Sequence, residues 1–417
     1  MTSAIVTVAL VIVCGVGGVC GVGACGSTPS TRNPQERSAD SAPAIAALRA
    51  SQFESATKEA STALAKDARS AQAAAVRAIA TYQLAAHELV SELGKVLQQG
   101  LSLKLLDHAG GRMAWQKFLD KLVEVDRDLA IVAADPSFTL ELCIACWERD
   151  YNHSGQIDER DRKMLEIELD DKGESYPDGD PRRRPTFKFD VGDAEWARAM
   201  ISFQRAFVEL VLSYQWSDLD KLFFGDGDST KLTIKLGDKQ RVTRARELIL
   251  NGLAAAERCR TAYLAETDDD REWVPNPRQR SHPIPLAIDD SIYATWSGVV
   301  GDVRRMLESK EGISLREVAR LGDKNSEHKV PDVYLDLGAM LSSPKDIVID
   351  FSLLKGGGDA PGKIDHIDQL LRGLIGNGYK PTMKPSPLVR RLDAMKQQLD
   401  RGEDTFERKL RYLLWLN

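Results

Sequence analysis

From Ala46 to Glu92 the chain runs without Pro or Gly, and apolar residues recur at helical intervals through Val76, Ile79, Leu84, Leu89, Val90 and Leu93. A 3.6-residue period lays such positions along one stripe, so the pattern predicts one long helix or two packed antiparallel. A second helical stretch follows from about Met113 to Ala134. Past Pro136, the residues Phe138, Leu140, Leu142, Ile144, Ala145, Cys146 and Trp147 predict another helix. After a polar gap, Met164, Leu165, Ile167 and Leu169 predict the next.

The pattern then changes to period two and repeats. Phe187, Lys188, Phe189, Asp190, Val191 and Leu232, Thr233, Ile234, Lys235, Leu236 each follow an Asp-Gly-Asp. Each leads through Gly-Asp into a helix, the first carrying Trp196, Phe203, Phe207 and Leu210, the second Leu248, Leu253, Ala256 and Leu264. Alternation gives each strand one buried face, and two short strands of matching pattern are expected to pair side by side. Asp193 is placed as an N-cap. Helical stretches resume at Tyr293 to Glu308 and Ser314 to Leu321, followed by Pro331 to Leu341 and a strand-like Ile347 to Leu354. Two more helices close the chain, Ser386 to Leu399 and Thr405 to Leu416, the last with Phe406, Leu410, Leu413, Leu414 and Trp415 to dock on a core. The fold class expected is mainly α: a helical bundle with one helix-loop-helix and a short two-stranded β element.

The first residues carry a different signal. Ala4 to Val13 is apolar apart from Thr7, and a Gly and Val tract leads to Val22, Gly23, Ala24, Cys25. This resembles a bacterial lipobox, which implies a signal peptide over 1–25 and a lipid on Cys25. The Ser, Thr, Pro, Asn and Asp of residues 26–45 suit a flexible tether. The expected organisation is then a helical domain over 46–266 and a mostly helical region over 267–417. The expected location is the bacterial cell envelope, on the outer-membrane or periplasmic side. The implied partners are the membrane, through the anchor, and a protein. The net charge of −6 argues against nucleic acid.

The stretch with the most chemistry in its spacing is Asp150 to Asp161. Oxygen-bearing side chains stand at its positions 1, 3, 5, 9 and 12, Gly155 at position 6 and Ile157 at position 8. A hard cation needs about six to eight converging oxygens, which a loop supplies only if it turns sharply midway. Gly155 permits that turn. The sequence DxNxSGxIxxxD resembles the EF-hand calcium loop, DxDxDGxIxxxE. By that resemblance the ligands would be the side chains of Asp150, Asn152, Ser154, Asp158 and Asp161 with the carbonyl of Gln156, holding Ca²⁺, or Mg²⁺ as second candidate. Asp161 stands where the family has a longer Glu, and only two of its core ligands carry charge. The affinity expected for Ca²⁺ is therefore on the order of 10⁻⁵ to 10⁻³ M.

Other motifs change the picture less. Cys143 and Cys146 form a CxxC without the strand-to-helix setting of a redox motif, and with Cys259 they read as buried thiols or one structural disulfide. Asp268, Asp270 and Glu272 crowd carboxylates into a second candidate cation site beside a solvated-loop alternative. His87 and Glu88 lack the second His of a zinc-protease helix, and Gly357 to Lys363 matches a phosphate loop but for Ile364 in place of Ser or Thr. Arg182, Arg183 and Arg184, beside Asp178 and Asp180, read as a solvated loop. With no GxSxG, HExxH or dinucleotide fingerprint, the function expected is a non-enzymatic, envelope-anchored calcium-binding lipoprotein. A metal-free scaffold is the alternative.

Overall fold

The computed structural model describes residues 34–399, apart from 104, 152, 171–173, 218–219, 221–230, 270, 281, 285–288, 323–329 and 355–362. The lipobox-like stretch with Cys25, the Asp-Gly-Asp at 226–228, the Gly-rich run at 357–362 and the expected helix at 405–416 lie outside those residues. The chain is mainly helical, as its periodicity predicts.

Six helices form the frame: α1 (Pro34–Arg49), α2 (Phe53–Lys66), α3 (Ala71–Leu103), α4 (His108–Ala133), α6 (Val191–Ser213) and α7 (Lys239–Ala265), with the short α5 (Glu159–Lys163) between α4 and α6. Each of the six packs on the next in order. The uninterrupted pattern from Ala46 to Glu92 folds as parts of three helices rather than one or two. The breaks use polar residues in place of Gly or Pro. Ser51 takes a left-handed φ of 60°, and Asp67 accepts the Arg69 N–H at 3.1 Å. The tether expected through residue 45 is likewise helical from Pro34, with Ser41 and Ala44 buried.

On α3, Ala73, Ala74, Ala78 and Ala80 are almost completely buried, and their small side chains let α2 and α4 approach closely. Acidic N-caps start the later helices. Asp190 caps α6 in a reciprocal box with Asp193, so the cap is Asp190 and not Asp193. Asp238 caps α7, and Asp289 caps α8 (Asp290–Leu307).

Residues from 290 onward complete a second core. Val299, Val303 and Met306 of α8 join Phe203 and Leu253 of α6 and α7, together with Leu388 and Val389 of α12 (Leu388–Leu399). Between them lie α9 (Leu315–Gly322), α10 (Leu337–Ser342) and α11 (Lys363–Ile375), the last not foreseen from the sequence. The Pro331–Leu341 stretch holds the strand residue pair Tyr334–Leu335 and most of α10. A three-stranded antiparallel sheet runs β4 (Ile313–Ser314), β5 (Tyr334–Leu335) and β7 (Tyr379–Lys380).

Two strand expectations are corrected. β2 (Phe187–Phe189) and β3 (Lys231–Ile234) form where alternation predicts, but not as a pair. β2 pairs with β1 (Leu140–Leu142), in the register Leu140 to Phe189, and β3 with β6 (Ile347–Asp350), in the register Leu232 to Ile349. Alternation fixes which face is buried, not which strand lies alongside. The existence of β1 overturns the helix expected over Phe138 to Trp147. Leu140, Leu142 and Ile144 are spaced by two, the strand period, and in β1 itself burial alternates buried, exposed, buried. A 3₁₀ turn, Ile144–Cys146, follows, bridged by a Cys143–Cys146 disulfide, while Cys259 stays a buried thiol.

Candidate metal centre

The loop from Asp150 to Asp161 is closed by its own carboxylates. Asp150 accepts the Ser154 N–H at 2.9 Å through Oδ1 and the Gly155 N–H at 2.7 Å through Oδ2. Those bonds require a tight reversal, which His153 and Gly155 make with φ of 56° and 87°. At the other end, Asp161 is buried and accepts the Tyr151 N–H and the Asp158 N–H, each at 2.9 Å. Tyr151 follows Asp150 directly, so this bond ties the end of the loop to its start.

Asp158 turns outward into a different task. Its Oδ1 accepts the Arg160 N–H at 2.8 Å and the Asp161 N–H at 3.1 Å, capping α5. The Ser154 hydroxyl donates to the Gln156 carbonyl at 2.9 Å. Asn152 lies outside the described residues. Among the described residues, no group of three or more Asp, Glu, His or Cys side chains is placed to hold a metal ion. The donors fit a hard cation in kind, since all are oxygens and a carboxylate offers about four lone-pair positions, enough for N–H bonds and a cation together. The entering helix of the resemblance is replaced by β1 and the disulfide-bridged turn. The exiting helix has only five residues, Glu159–Lys163, and the helix expected through Met164, Leu165, Ile167 and Leu169 does not form.

Around the loop, Trp147 is buried edge-on against Phe53 with ring centres 5.5 Å apart. Arg149 lies over the Phe53 ring, 5.1 Å from its centre, and donates to Gln83 at 3.2 Å. His153 stacks on His87 of α3 at 4.3 Å. Burial holds the His87 imidazole below its usual range, with Arg149 and His153 acting in the same sense and Asp150 and Glu54 against it. Burial pushes the Tyr151 phenol up to about 12, with Arg149 opposing and Asp161 adding. The loop is thus docked on α3 through one aromatic contact and on α2 through another.

The other candidates resolve as structural features. Asp268 pairs with Lys188 at 2.7 Å, Asp269 accepts the Arg280 N–H at 2.8 Å, Glu272 is buried and Asp270 lies outside the described residues. Asp178 pairs with Arg183 and Lys163, and Asp180 with Arg182, around Gly179 at φ 81°. The three arginines are solvated only in part: Arg182 and Arg184 are exposed, but Arg183 is buried, and both Arg183 and Arg184 reach the buried Glu166 at 2.9 Å. Glu88 is 3.8 Å from Lys117 on the helix surface. Lys363 opens α11.

One cluster carries no motif at all. Asp193 is buried with its Oδ1 accepting the Tyr263 hydroxyl at 2.7 Å, and burial, helped by the nearby Asp190 carboxylate, pushes its carboxyl well above the usual range. Glu266, the C-cap residue of α7, is pushed up in the same way by burial and by Asp190. The α6 pair, Asp190 and Asp193, is distant in sequence from the α7 pair, Tyr263 and Glu266, with 70 positions between Asp193 and Tyr263, and each residue on its own reads as an ordinary cap or helix end.

No protein family, curated protein or solved structure matches this chain. Among the described residues no helix is long and apolar enough to cross a membrane.

Proposed function

We propose that the chain is an envelope-anchored calcium-binding protein whose Asp150 to Asp161 loop holds one divalent cation in a structural role, with Cys25 as the lipid attachment point. The observation that carries the reading is the closure of the loop: Asp161 reaches the N–H beside Asp150, while Gly155 turns the chain under the Asp150 carboxylate. Asp150 and Asp161 would supply the charge. Ser154, the Gln156 carbonyl and Asn152 would supply neutral oxygens, and Asp158 would act through water.

A structural role is favoured over a sensory one by what flanks the loop. A sensor opens a pair of helices when its ion binds. Here a bridged turn stands on one side and a five-residue helix on the other, so there is no pair to open. Bound Ca²⁺ neutralises two carboxylates and stiffens the loop against α3. With a dissociation constant of ~10⁻⁴ M, millimolar Ca²⁺ would stabilise the fold by about 1.4 kcal/mol.

Calorimetric titration with Ca²⁺ and Mg²⁺, on the full chain and on Asp150→Ala, tests this. One Ca²⁺ per chain, lost in the variant, is expected. Absence of heat with either ion up to millimolar concentration would leave the scaffold reading, in which the loop serves only as a self-capped turn.

A further inference from the structure

The junction of α6, α7 and the segment after α7 gathers the carboxyl groups of Asp190, Asp193, Glu266 and Glu272. Asp190 already accepts the Gly192 N–H at 2.6 Å as cap of α6, where the positive end of the helix favours its ionised form. The Glu266 carboxyl lies within hydrogen-bond reach of that carboxylate. Its Oε2 accepts from Gln279 at 3.1 Å, but its Oε1 is buried and meets no donor. Two carboxylates facing each other in that setting repel strongly, and a single proton between them turns the repulsion into a short hydrogen bond.

We infer that Glu266 keeps a proton at neutral pH and donates it to Asp190, and that losing this proton weakens the contact between the end of α7 and the N-terminus of α6. The end of α7 is also held by the residues that follow it. Asn276 donates to the Tyr263 carbonyl at 2.8 Å and to the Glu266 carbonyl at 3.3 Å, and Arg278 donates to the Leu264 carbonyl at 2.6 Å, so the segment caps α7. Within it the Arg271 carbonyl accepts the Lys188 N–H of β2 at 3.2 Å, and β2 pairs with β1 ahead of the cation loop. The inference stands independently of cation binding.

The charged and titratable neighbours all have other engagements or the same sign. On α6 they are Asp193, bonded to Tyr263, and Glu195, paired with Arg258 at 2.7 Å. On α7 they are Cys259, Tyr263 and Arg260, the last paired with Glu257 at 2.5 Å. The segment itself adds Glu272, Arg278 and Asp268, which is bound to Lys188 of β2 at 2.7 Å. Tyr293 comes from α8 and is buried. Burial and the Asp190 charge raise the Glu266 carboxyl above its ordinary value, in keeping with a retained proton.

The test is the melting temperature of the full chain from about pH 5 to about pH 9, for wild type, Glu266→Gln and Asp190→Asn. Glu266→Gln mimics the protonated acid, and Asp190→Asn keeps an N-cap acceptor while removing the facing charge. Wild type should lose about 5 °C or more across this range, and either variant that folds should lose clearly less. A protonated-carboxyl stretch in the infrared spectrum of folded wild type at neutral pH is also expected. Parallel melting curves for wild type and the folded variants, or absence of that stretch, overturns the inference.

Discussion

The Asp161 carboxylate accepts the Tyr151 backbone N–H at 2.9 Å, joining residues ten positions apart, and its second oxygen accepts the Asp158 N–H at the same distance. The contact holds the loop closed by hydrogen bonds alone. Asp161→Ala strands two N–H groups and should cost about 2 kcal/mol in denaturant unfolding even with chelator present. Asp150→Ala removes the carboxylate held by exposed loop residues and should instead abolish the response to Ca²⁺. Unfolding midpoints for both variants, with chelator and with millimolar Ca²⁺, separate the two effects. Equal responses to Ca²⁺ in wild type and Asp150→Ala would remove the cation from the account.

Arg77 of α3 grips Asp128 of α4 with two hydrogen bonds, Nε to Oδ2 at 2.7 Å and Nη2 to Oδ1 at 2.6 Å. Asp128 is buried, so replacing Arg77 leaves an uncompensated carboxylate between two helices. Arg77→Met should destabilise the chain by about 3 kcal/mol, and the double variant Arg77→Met with Asp128→Leu should recover much of that. A double variant as unstable as the single one would mean that the pair fixes packing in a way apolar residues do not replace.

The helical frame is legible because periodicity of 3.6 sustained over 18 residues or more is hard to mimic, as in α4, α6, α7 and α8. The sharp turn at Gly155 is legible because its residue type is tied to a positive φ rather than to a partner. What surrounds it is not. Over Phe138 to Trp147 the spacing of Leu140, Leu142 and Ile144 already carries the strand period, but the neighbouring Ala145, Cys146 and Trp147 blur it, and only Phe187 and Phe189 across the ladder decide the matter. The breaks at Ser51 and Asp67 escape notice because neither is Gly or Pro. The junction of Asp190, Asp193 and Glu266 is assembled by the packing of α6 on α7, and sequence spacing holds no trace of it.

Gly252 of α7 lies against the Phe203 ring of α6, where an added Cβ would stand 2.6 Å from a ring carbon. Helix propensity alone would make Gly252→Ala stabilising by about 1 kcal/mol. The steric conflict is with a buried aromatic ring, which has no room to swing aside, and overpacking of this kind costs about 1 to 3 kcal/mol. The net expectation is destabilisation, read as a lower urea midpoint with an unchanged slope. A rise in the midpoint would show that the α6 to α7 contact is looser than it stands here.

Glu311 predicts an acid limb of stability that contrasts with the alkaline one expected of Glu266. Its side chain is buried; burial works to raise its carboxyl, but hydrogen bonds from Lys384 at 2.7 Å and Arg305 at 3.0 Å outweigh it and hold the group below the usual range. A depressed carboxyl binds its proton less readily in the folded chain than in the unfolded one, so the unfolded state takes up more protons as pH falls. The stabilisation is therefore complete above the ordinary Glu value and is lost as pH drops through the lower folded value. Glu311→Gln should cost about 2 kcal/mol near neutral pH and should flatten the acid limb, leaving the alkaline limb unchanged. Unfolding free energies of wild type and Glu311→Gln, measured at acidic and neutral pH, decide it: a gap that stays constant on acidification would mean that the carboxylate charge of Glu311 contributes nothing to the fold.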